Sequence, residues 1–309
     1  MPNDPNQTLP VTRPRRGPLM RAAASIWMWI DSGAAQSTDY ATDKRVDWLR
    51  VIPFVGVHLM GFGVIWVGWS FTAVAVAAAL YVFRMFAITG FYHRYFSHRT
   101  FRTSRVAQFC FAVAGASAGQ RGPLWWAAHH RKHHRYSDTE DDVHSPKQHG
   151  FWWAHVGWFM SPSNFPTDLD AVPDLAKYPE LRFLDRFDAV VPIALAVTLV
   201  LVGGWQLLIW GFFISTLFVY HGTCFINSLA HMMGRRRYET TDTSKNSLIL
   251  ALITLGEGWH NNHHRYPGTA RQGFFWWEID ITYYGLLLLE KLGIIYDLRP
   301  VPRRLLEST

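Results

Sequence analysis

Two long apolar tracts dominate the pattern of hydrophobic and polar positions along the 309-residue chain. Residues 51–92 carry one charged side chain, Arg84, and residues 189–234 carry none. A membrane-spanning helix needs about 20 apolar residues, so each tract is long enough for two. Glycines near the middle of each tract, at 68 and at 203–204, provide turns. Because backbone polar groups in lipid must be satisfied internally, the pattern predicts four helical spans, at 51–68, 71–92, 188–203 and 205–227.

The remaining segments predict peripheral elements. Residues 1–19 are polar and proline-rich and predict a disordered tail. Residues 20–30 predict a helix lying on the membrane, too short to cross it, and residues 106–119 a buried or interfacial helix. We therefore expect an N-terminal tail and interfacial helix at 1–50, one domain at 51–300 and a C-terminal tail at 301–309.

The distribution of positive charge predicts the orientation in the membrane. Of the 30 Lys and Arg residues, all but Arg84 lie outside the two apolar tracts, and neither predicted turn has any. By the positive-inside rule, both termini and the central segment are expected in the cytoplasm. The net charge of +7 is then explained by topology and by anionic lipid headgroups rather than by binding to nucleic acid. The positive charge could also attract an anionic substrate head.

Three histidine clusters stand at the edges of apolar stretches. They are His93-Arg-Tyr-Phe-Ser-His98, His130-Arg-Lys-His133-His134 and His260-Asn-Asn-His263-His264. In His-x-x-His-His the three imidazoles share one face of a helix, because residues three and four apart are neighbours there. His93 and His98 are five apart, so the α-helix must end or bend between them if they share a site. All three clusters fall on the predicted cytoplasmic side.

The number of histidines predicts more than one metal ion. Neutral imidazole is the commonest metal ligand among side chains, and the clusters contain eight of the fifteen histidines in the chain. A structural zinc site needs only four ligands. No general base for a zinc hydrolase stands out. An all-histidine shell beside lipid-facing helices favours iron and O2 chemistry on an apolar substrate.

The sequence motifs of these clusters resemble those of the membrane fatty-acid desaturases, specifically the acyl-CoA (stearoyl-CoA) group. That family carries His-x4-His and two His-x-x-His-His boxes in this order. Asn227-Ser-Leu-Ala-His231 after the fourth span also matches, as does Gly256-Glu-Gly-Trp-His260 before the last box. The resemblance extends from about residue 50 to residue 300. It implies an all-α integral membrane protein, with four transmembrane helices as two hairpins and a cytoplasmic helical cap that holds a dimetal site.

The resemblance also implies two Fe2+ ions and O2 as co-substrate. Asn227 is expected to hold a metal-bound water, and it stands four residues before His231 on the same helical face. The assignment of histidines to each iron stays open. The implied protein ligands are His93, His98, His130, His133, His134, His231, His260, His263 and His264.

Acidic residues near the boxes are expected to orient the ligands. A metal-bound histidine usually donates its other N–H to a carboxylate or carbonyl. Glu257 stands three residues before His260, and Asp138, Asp141 and Asp142 follow the second box. A solvated acidic loop is the alternative for Asp141 and Asp142. The remaining histidines are expected to be structural or hydrogen-bonded, with His129 a non-ligand that could contact the substrate head: His58, His129, His144, His149, His155 and His221.

The sequence of the second span predicts a set of residues that measures the acyl chain, by limiting how far the chain can enter beside the metal site. Counting back from His93 in steps of four gives Thr89, Met85 and Tyr81, which lie nearly on one face. Tyr81 could close the far end of a tunnel and Met85 could narrow it; ordinary helix packing is the alternative. Arg84 is a candidate functional residue, because a charged side chain within a membrane span has a high free-energy cost. Snorkelling towards a headgroup, or pairing within the bundle, explains this residue equally well.

The substrate head and the redox partner are less constrained. Five basic residues surround the boxes: Arg94, Arg99, Arg131, Lys132 and Arg135. They could bind the phosphates of CoA or an acidic acyl carrier protein, and we expect Arg131 and Arg135 to take part in substrate binding. The positive-inside topology alone would also explain these charges. Only 45 residues follow His264, so we expect no fused cytochrome domain and a separate electron donor, cytochrome b5-like or a ferredoxin with its reductase.

The expected reaction is O2-dependent desaturation of a saturated acyl chain, as acyl-CoA and at the delta-9 position. A related diiron hydroxylase acting on acyl chains or lipids is the alternative within enzymes. A membrane metal transporter is the alternative from another class, but it would place polar ligands near mid-span rather than on one face of the membrane.

Overall fold

The computed structural model describes residues 17–37 and 45–307, and this part of the chain is mostly helical. The predicted N-terminal tail lies largely outside the described residues. A single antiparallel pair of strands, β1 (Arg102–Thr103) and β2 (Ile295–Tyr296), joins the middle of the chain to its end. The α-helices, in chain order from α1 to α15, are Pro18–Trp27, Ile52–Gly61, Val64–Val67, Phe71–Phe86, Arg105–Ala116, Pro123–Tyr136, Pro146–His149, Pro173–Ala176, Pro179–Arg186, Val190–Leu207, Ser215–Met232, Leu248–Ile253, His260–Arg265, Ile281–Lys291 and Arg303–Glu307.

Two helices of the described residues are long and apolar enough to cross a membrane, Phe71–Ser97 and Val190–Met232. The helix Phe71–Ser97 consists of α4 followed by a π-helical segment, Ala87–Ser97. It begins where predicted, because the Ser70 hydroxyl accepts a hydrogen bond from the Ala73 N–H at 3.1 Å and caps the helix. The helices before it, α2 and α3, are separated from α4 by a turn at Gly68, whose φ of 63° favours glycine.

The helix Val190–Met232 is a hairpin rather than one straight rod. Gly203 and Gly204 have non-helical backbone angles within it. A Cβ atom placed on Gly211 would lie 3.2 Å from the Leu199 side chain. These two residues would be about 18 Å apart in a straight helix, so the chain folds back at the glycine pair, as the sequence predicts.

The turns of the two hairpins lie side by side. The Gln206 amide donates to the Val67 carbonyl at 3.0 Å and accepts from the Ser70 hydroxyl at 2.8 Å. The Trp210 indole donates to the Gly68 carbonyl at 2.8 Å. Both turns therefore mark one end of the helical bundle, and the histidine boxes lie toward the other.

Arg84 pairs within the bundle. It is fully buried, and its guanidinium donates to the hydroxyls of Thr216 (2.7 Å) and Ser215. It also contacts carbonyls of Gly211 and Phe212, which lie in the π-helical segment Leu208–Ile214. A π-helix leaves carbonyls out of the ordinary ladder, so this segment supplies acceptors to a buried cation.

The helices and loops between the hairpins form a cap over the boxes. One continuous apolar core joins the π-helical segment Ala87–Ser97 to α5, α6, α9 and α14. At the N-terminal side, α1 exposes Leu19 and Trp27, while Met28 packs against Ala35 and Phe165. The interfacial position of this helix stays a prediction.

Candidate metal centre

The first histidine pair lies in a widened helical segment. Ala87–Ser97 is π-helical, with hydrogen bonds between residues five apart, and the His98 N–H donates to the His93 carbonyl at 3.3 Å. The spacing of the pair predicts that the α-helix ends or bends between His93 and His98, but the helix instead continues through His93 to Ser97 in π-helical form. The wider turn brings the two imidazoles to a centroid distance of 4.9 Å.

Five imidazoles from three helical segments converge on one point, and their ligand nitrogens all lie within 4.8 Å of one another. Nε2 of His263 lies 3.0 Å from Nε2 of His93 and 2.8 Å from Nε2 of His134. The Nε2 atoms of His98 and His130 are 2.8 Å apart. This five-histidine group consists of His93, His98, His130, His134 and His263.

Four further imidazoles converge beside it. Nε2 of His231, at the end of α11, lies 3.1 Å from Nε2 of His260. The rings of His264 and His134 stack at 4.4 Å, so the two groups adjoin. The four-histidine group consists of His133, His231, His260 and His264. The two groups together contain all nine predicted histidines, and each His-x-x-His-His box contributes to both.

The spacing and chemistry of these nitrogens fit bound metal ions. Metal–nitrogen bonds of about 2.1 Å at right angles place neighbouring nitrogens about 3 Å apart, as observed in both groups. Nε2 of His264 is buried without a hydrogen-bond partner among the described residues, while its Nδ1 is bonded to Asp242. Its free nitrogen is thus left for a ligand. Neutral imidazoles of this kind suit iron, zinc and copper.

Carboxylates hold the opposite nitrogens of four rings. Asp142 Oδ2 lies 3.0 Å from His133 Nδ1, Asp138 Oδ2 lies 3.2 Å from His231 Nδ1, and Asp242 Oδ2 lies 2.8 Å from His264 Nδ1. Glu257 contacts Nδ1 of His93. Such contacts fix ring orientation and raise the basicity of the ligand nitrogen.

Three of these four carboxylates are predicted from the sequence, and Asp242 is not. It stands in a polar loop 22 residues before His264, and no spacing rule connects the two positions. Burial is the only property that distinguishes Asp242 from a solvated loop residue, and burial is known only once the fold is known.

The electrostatics of the site keep six of the nine imidazoles neutral and the carboxylates ionised. His133 differs, because Asp142 raises the pKa of this imidazole against the effect of burial. Burial lowers the pKa of His130, His134 and His263 well below the usual range, and lowers the pKa of His264 to about 4. Burial alone would favour a protonated Asp142, but the neighbouring His144 and His133 hold the pKa of this carboxyl well below its usual value. Neutral imidazole is the form that binds metal.

Arg94 supports Glu257 from the far side. Its buried guanidinium donates to Glu257 Oε1 at 3.0 Å and to Asp280 Oδ2 at 3.1 Å, and the Gln272 amide donates to Glu257 Oε2 at 2.9 Å. These contacts hold the carboxylate that orients His93. Arg94 is therefore occupied inside the protein, away from any substrate head.

Other basic residues around the boxes are also paired. Arg131 donates to Asp174 Oδ1 at 2.7 Å and to the carbonyls of Phe96 and Ser97. Arg99 donates to the same aspartate at 2.9 Å. Lys132 and Arg135 are exposed. A substrate contact of Arg131 or Arg135 stays a prediction.

Two cavities meet beside the histidine groups. The larger, of about 210 Å³, runs from Arg50 and Arg121 to Asn227, and the smaller, of about 30 Å³, is lined by Met85, Thr89 and His93. They share Trp126, His130, Thr223 and Asn227 as lining residues. An elongated apolar molecule in both cavities would therefore pass directly by the two groups.

Two of the three residues predicted to measure the acyl chain line this passage. Met85 and Thr89 line the smaller cavity, and the Thr89 hydroxyl is 2.7 Å from that of Thr282. Tyr81 lies one turn further from the histidines, where its hydroxyl donates to the Ile253 carbonyl at 2.5 Å. Asn227 lines both cavities next to the four-histidine group.

The six other histidines separate into three kinds. His129 and His144 line the larger cavity, where His129 packs on Trp125 at 4.3 Å. His149 is exposed. His58, His155 and His221 are hydrogen-bonded to one another between the hairpins and the cap.

Comparisons with known proteins agree with this site. A family model described as "Fatty acid desaturase" matches residues 68–280. The chain is 37% identical to an "sn-1 stearoyl-lipid 9-desaturase" from Anabaena variabilis, over 84% of this chain and 96% of that protein. It is 35% identical to a "Palmitoyl-monogalactosyldiacylglycerol delta-7 desaturase, chloroplastic" from Arabidopsis thaliana, over 83% and 70%. It is 34% identical to an acyl-CoA 5-desaturase from Anemone leveillei, over 83% of each.

Proposed function

The chain belongs to the fatty acid desaturase family, and from this premise we propose that it inserts a double bond into a saturated fatty acyl chain with O2 as oxidant. The observation that carries the proposal is the arrangement of nine imidazoles in two adjoining groups, beside an apolar passage and at one end of two apolar hairpins. The spacing within each group supports one metal ion per group.

Iron is the metal that we assign to both groups. The five-histidine group would hold one ion, and the four-histidine group, with a water on Asn227, the other. Bound Fe2+ would supply the oxidising chemistry that removes one hydrogen from each of two neighbouring methylenes, while O2 is reduced to water with two electrons from a separate donor.

The protein's own residues position the chain and the ligands. Asp138, Asp142, Asp242 and Glu257 hold four imidazoles in place. The apolar walls of the two cavities keep water from the acyl chain and present one carbon pair to the metal site. Tyr81 and Met85, at the far side, limit how far the methyl end can enter.

We further propose four membrane spans with the site on the cytoplasmic face. The fold-back at Gly203–Gly204 and the turn at Gly68 support two hairpins whose turns lie together. The basic residues lie away from these turns, which supports cytoplasmic termini by the positive-inside rule.

The double bond is proposed at delta-9, on an acyl-CoA. The relatives are named for lipid-linked chains as well as for acyl-CoA, so both carriers enter the test. The separate electron donor is proposed to be cytochrome b5-like or a ferredoxin.

Expression in a desaturase-deficient host, followed by mass spectrometry of double-bond positions in the lipid and acyl-CoA pools, tests the proposal. We expect a new monounsaturated product at delta-9 that is absent with His260→Ala. A hydroxylated product would identify a diiron hydroxylase instead. Full activity in His260→Ala would refute the metal centre, and the pool in which the product first appears identifies the carrier.

A further inference from the structure

Three histidines outside the metal centre form a continuous hydrogen-bonded chain. His58 Nε2 lies 3.1 Å from His221 Nε2, and His221 Nδ1 lies 3.0 Å from His155 Nε2. Each link uses one nitrogen of each ring, and the middle ring uses both. This histidine chain therefore connects α2 and α11 of the two hairpins to the π-helical segment Trp153–Gly157 of the cap.

The histidine chain ends on a carbonyl at each side. His58 Nδ1 lies 2.8 Å from the Phe54 carbonyl. At the other end, His155 Nδ1 lies 3.1 Å from the Ser228 hydroxyl, which donates to the Cys224 carbonyl at 2.9 Å. A carbonyl only accepts hydrogen bonds, so the terminal contacts need a donor hydrogen facing the Phe54 carbonyl and another facing the Cys224 carbonyl. The hydrogen bonds therefore cannot all point in the same direction along the chain.

A count of protons follows from this geometry. From Phe54 to Cys224 there are five hydrogen bonds, and each needs one proton between its two heavy atoms. Three neutral imidazoles and one hydroxyl provide only four N–H or O–H hydrogens. In the neutral state one link would therefore bring two lone pairs face to face, whereas one added proton completes all five links.

We propose that the His58–His221–His155 chain is a proton-binding site that holds one proton shared among three rings, and that this proton joins the cap to the two hairpins. The site belongs to neither histidine group and does not depend on the proposed reaction.

The three imidazoles contact one another, the groups at the two ends of the histidine chain and aromatic rings. The rings of Phe54, Phe151 and Phe225 pack on the histidine chain. Tyr220 and Cys224 of α11 also line the larger cavity, and Lys147 and His149 of the neighbouring α7 are exposed. Burial opposes the added charge and lowers the pKa of His155 to about 4, while the fifth hydrogen bond and sharing over three rings favour it.

Proton uptake on unfolding provides the test. Below the unfolded pKa of about 6.5, every released histidine takes up a proton. The complete chain releases three histidines but already holds one proton, so it takes up two. His155→Phe leaves two histidines and three hydrogen bonds, and neutral imidazoles with the Ser228 hydroxyl provide a hydrogen for each of the three. This variant is therefore uncharged when folded and also takes up two protons on unfolding. His58→Phe/His155→Phe leaves one histidine and takes up one.

The measurement is the unfolding equilibrium of the iron-loaded protein in detergent between about pH 5 and pH 6, where one proton of difference changes an equilibrium constant tenfold per pH unit. We expect the ratio of unfolding constants for His155→Phe over wild type to be independent of pH. The ratio for the double variant over His155→Phe should change tenfold per unit. A tenfold slope in the first ratio, or none in the second, would overturn the proposal. His58→Phe replaces His155→Phe if the latter does not fold, and exposed His149→Phe is the control.

Discussion

His133 and His134 are neighbours in sequence but belong to different groups of the metal centre. Nε2 of His134 lies 2.8 Å from Nε2 of His263, whereas His133 is bonded to Asp142 at 3.0 Å and joins the four-histidine group. Side chains of consecutive residues on a helix point about 100° apart. Helix α6 therefore lies between the two groups and contributes imidazoles to each from a different face.

This division predicts unequal metal losses. His134→Ala leaves four imidazoles in its group, and His133→Ala leaves three. Because four ligands complete a typical site, we expect His133→Ala to lose about one iron per chain and His134→Ala to lose less, although both lose activity. Metal analysis of the purified variants measures this, with exposed His149→Ala as the control. Equal metal contents in the two variants would contradict the division.

Asp242→Asn tests the carboxylate that spacing rules do not find. Asn keeps the shape of the side chain but removes the charge that faces His264 Nδ1 at 2.8 Å. We expect a loss of about 10–100-fold in metal affinity or activity, as for other partners of metal-bound histidines. The matched control is Asp141→Asn, because Asp141 is exposed in a neighbouring loop and should have no effect. An unchanged iron affinity would show that Asp242 is not needed to orient His264.

Sequence alone could predict most of this centre, for particular physical reasons. Helical periodicity places His130, His133 and His134 together, and two apolar tracts with only one charged residue between them predict the hairpins. The division of each box between two groups depends on how α6 and α13 are rotated against each other, which is a property of packing. The π-helical turn at His93–His98 and the contact of Asp242 likewise arise from tertiary structure, which overrides the α-helical geometry that spacing arguments assume.

His129 should make the protein sensitive to acid. Burial lowers the pKa of His129 to about 4. A histidine whose folded pKa lies below its unfolded value of about 6.5 contributes stability that is complete above pH 6.5 and is lost as the pH falls toward the folded value. His129→Gln cannot take up this proton, so between about pH 7 and pH 5 it should lose on the order of 1–2 kcal/mol less stability than wild type.

Unfolding in detergent at several pH values provides this measurement, with wild type and variant compared at each pH so that the metal ligands contribute equally. His149→Gln, which replaces an exposed histidine, should follow the wild-type curve. Parallel curves for wild type and His129→Gln would mean that His129 is protonated as readily in the fold as in the unfolded chain.

Tyr81 should set the length of the acyl chain that the passage accepts. Its ring lies one helical turn beyond Met85, and its hydroxyl is bonded to the Ile253 carbonyl across the bundle. Tyr81→Ala would remove the ring and extend the smaller cavity away from the metal centre, so the preferred substrate should become longer by about two to four carbons, at about 0.8 kcal/mol per newly buried methylene. Tyr81→Phe keeps the ring and should keep the wild-type chain length. The measurement is the chain-length profile of unsaturated products by mass spectrometry. The same profile in Tyr81→Ala and wild type would show that Tyr81 packs between helices without bounding the substrate.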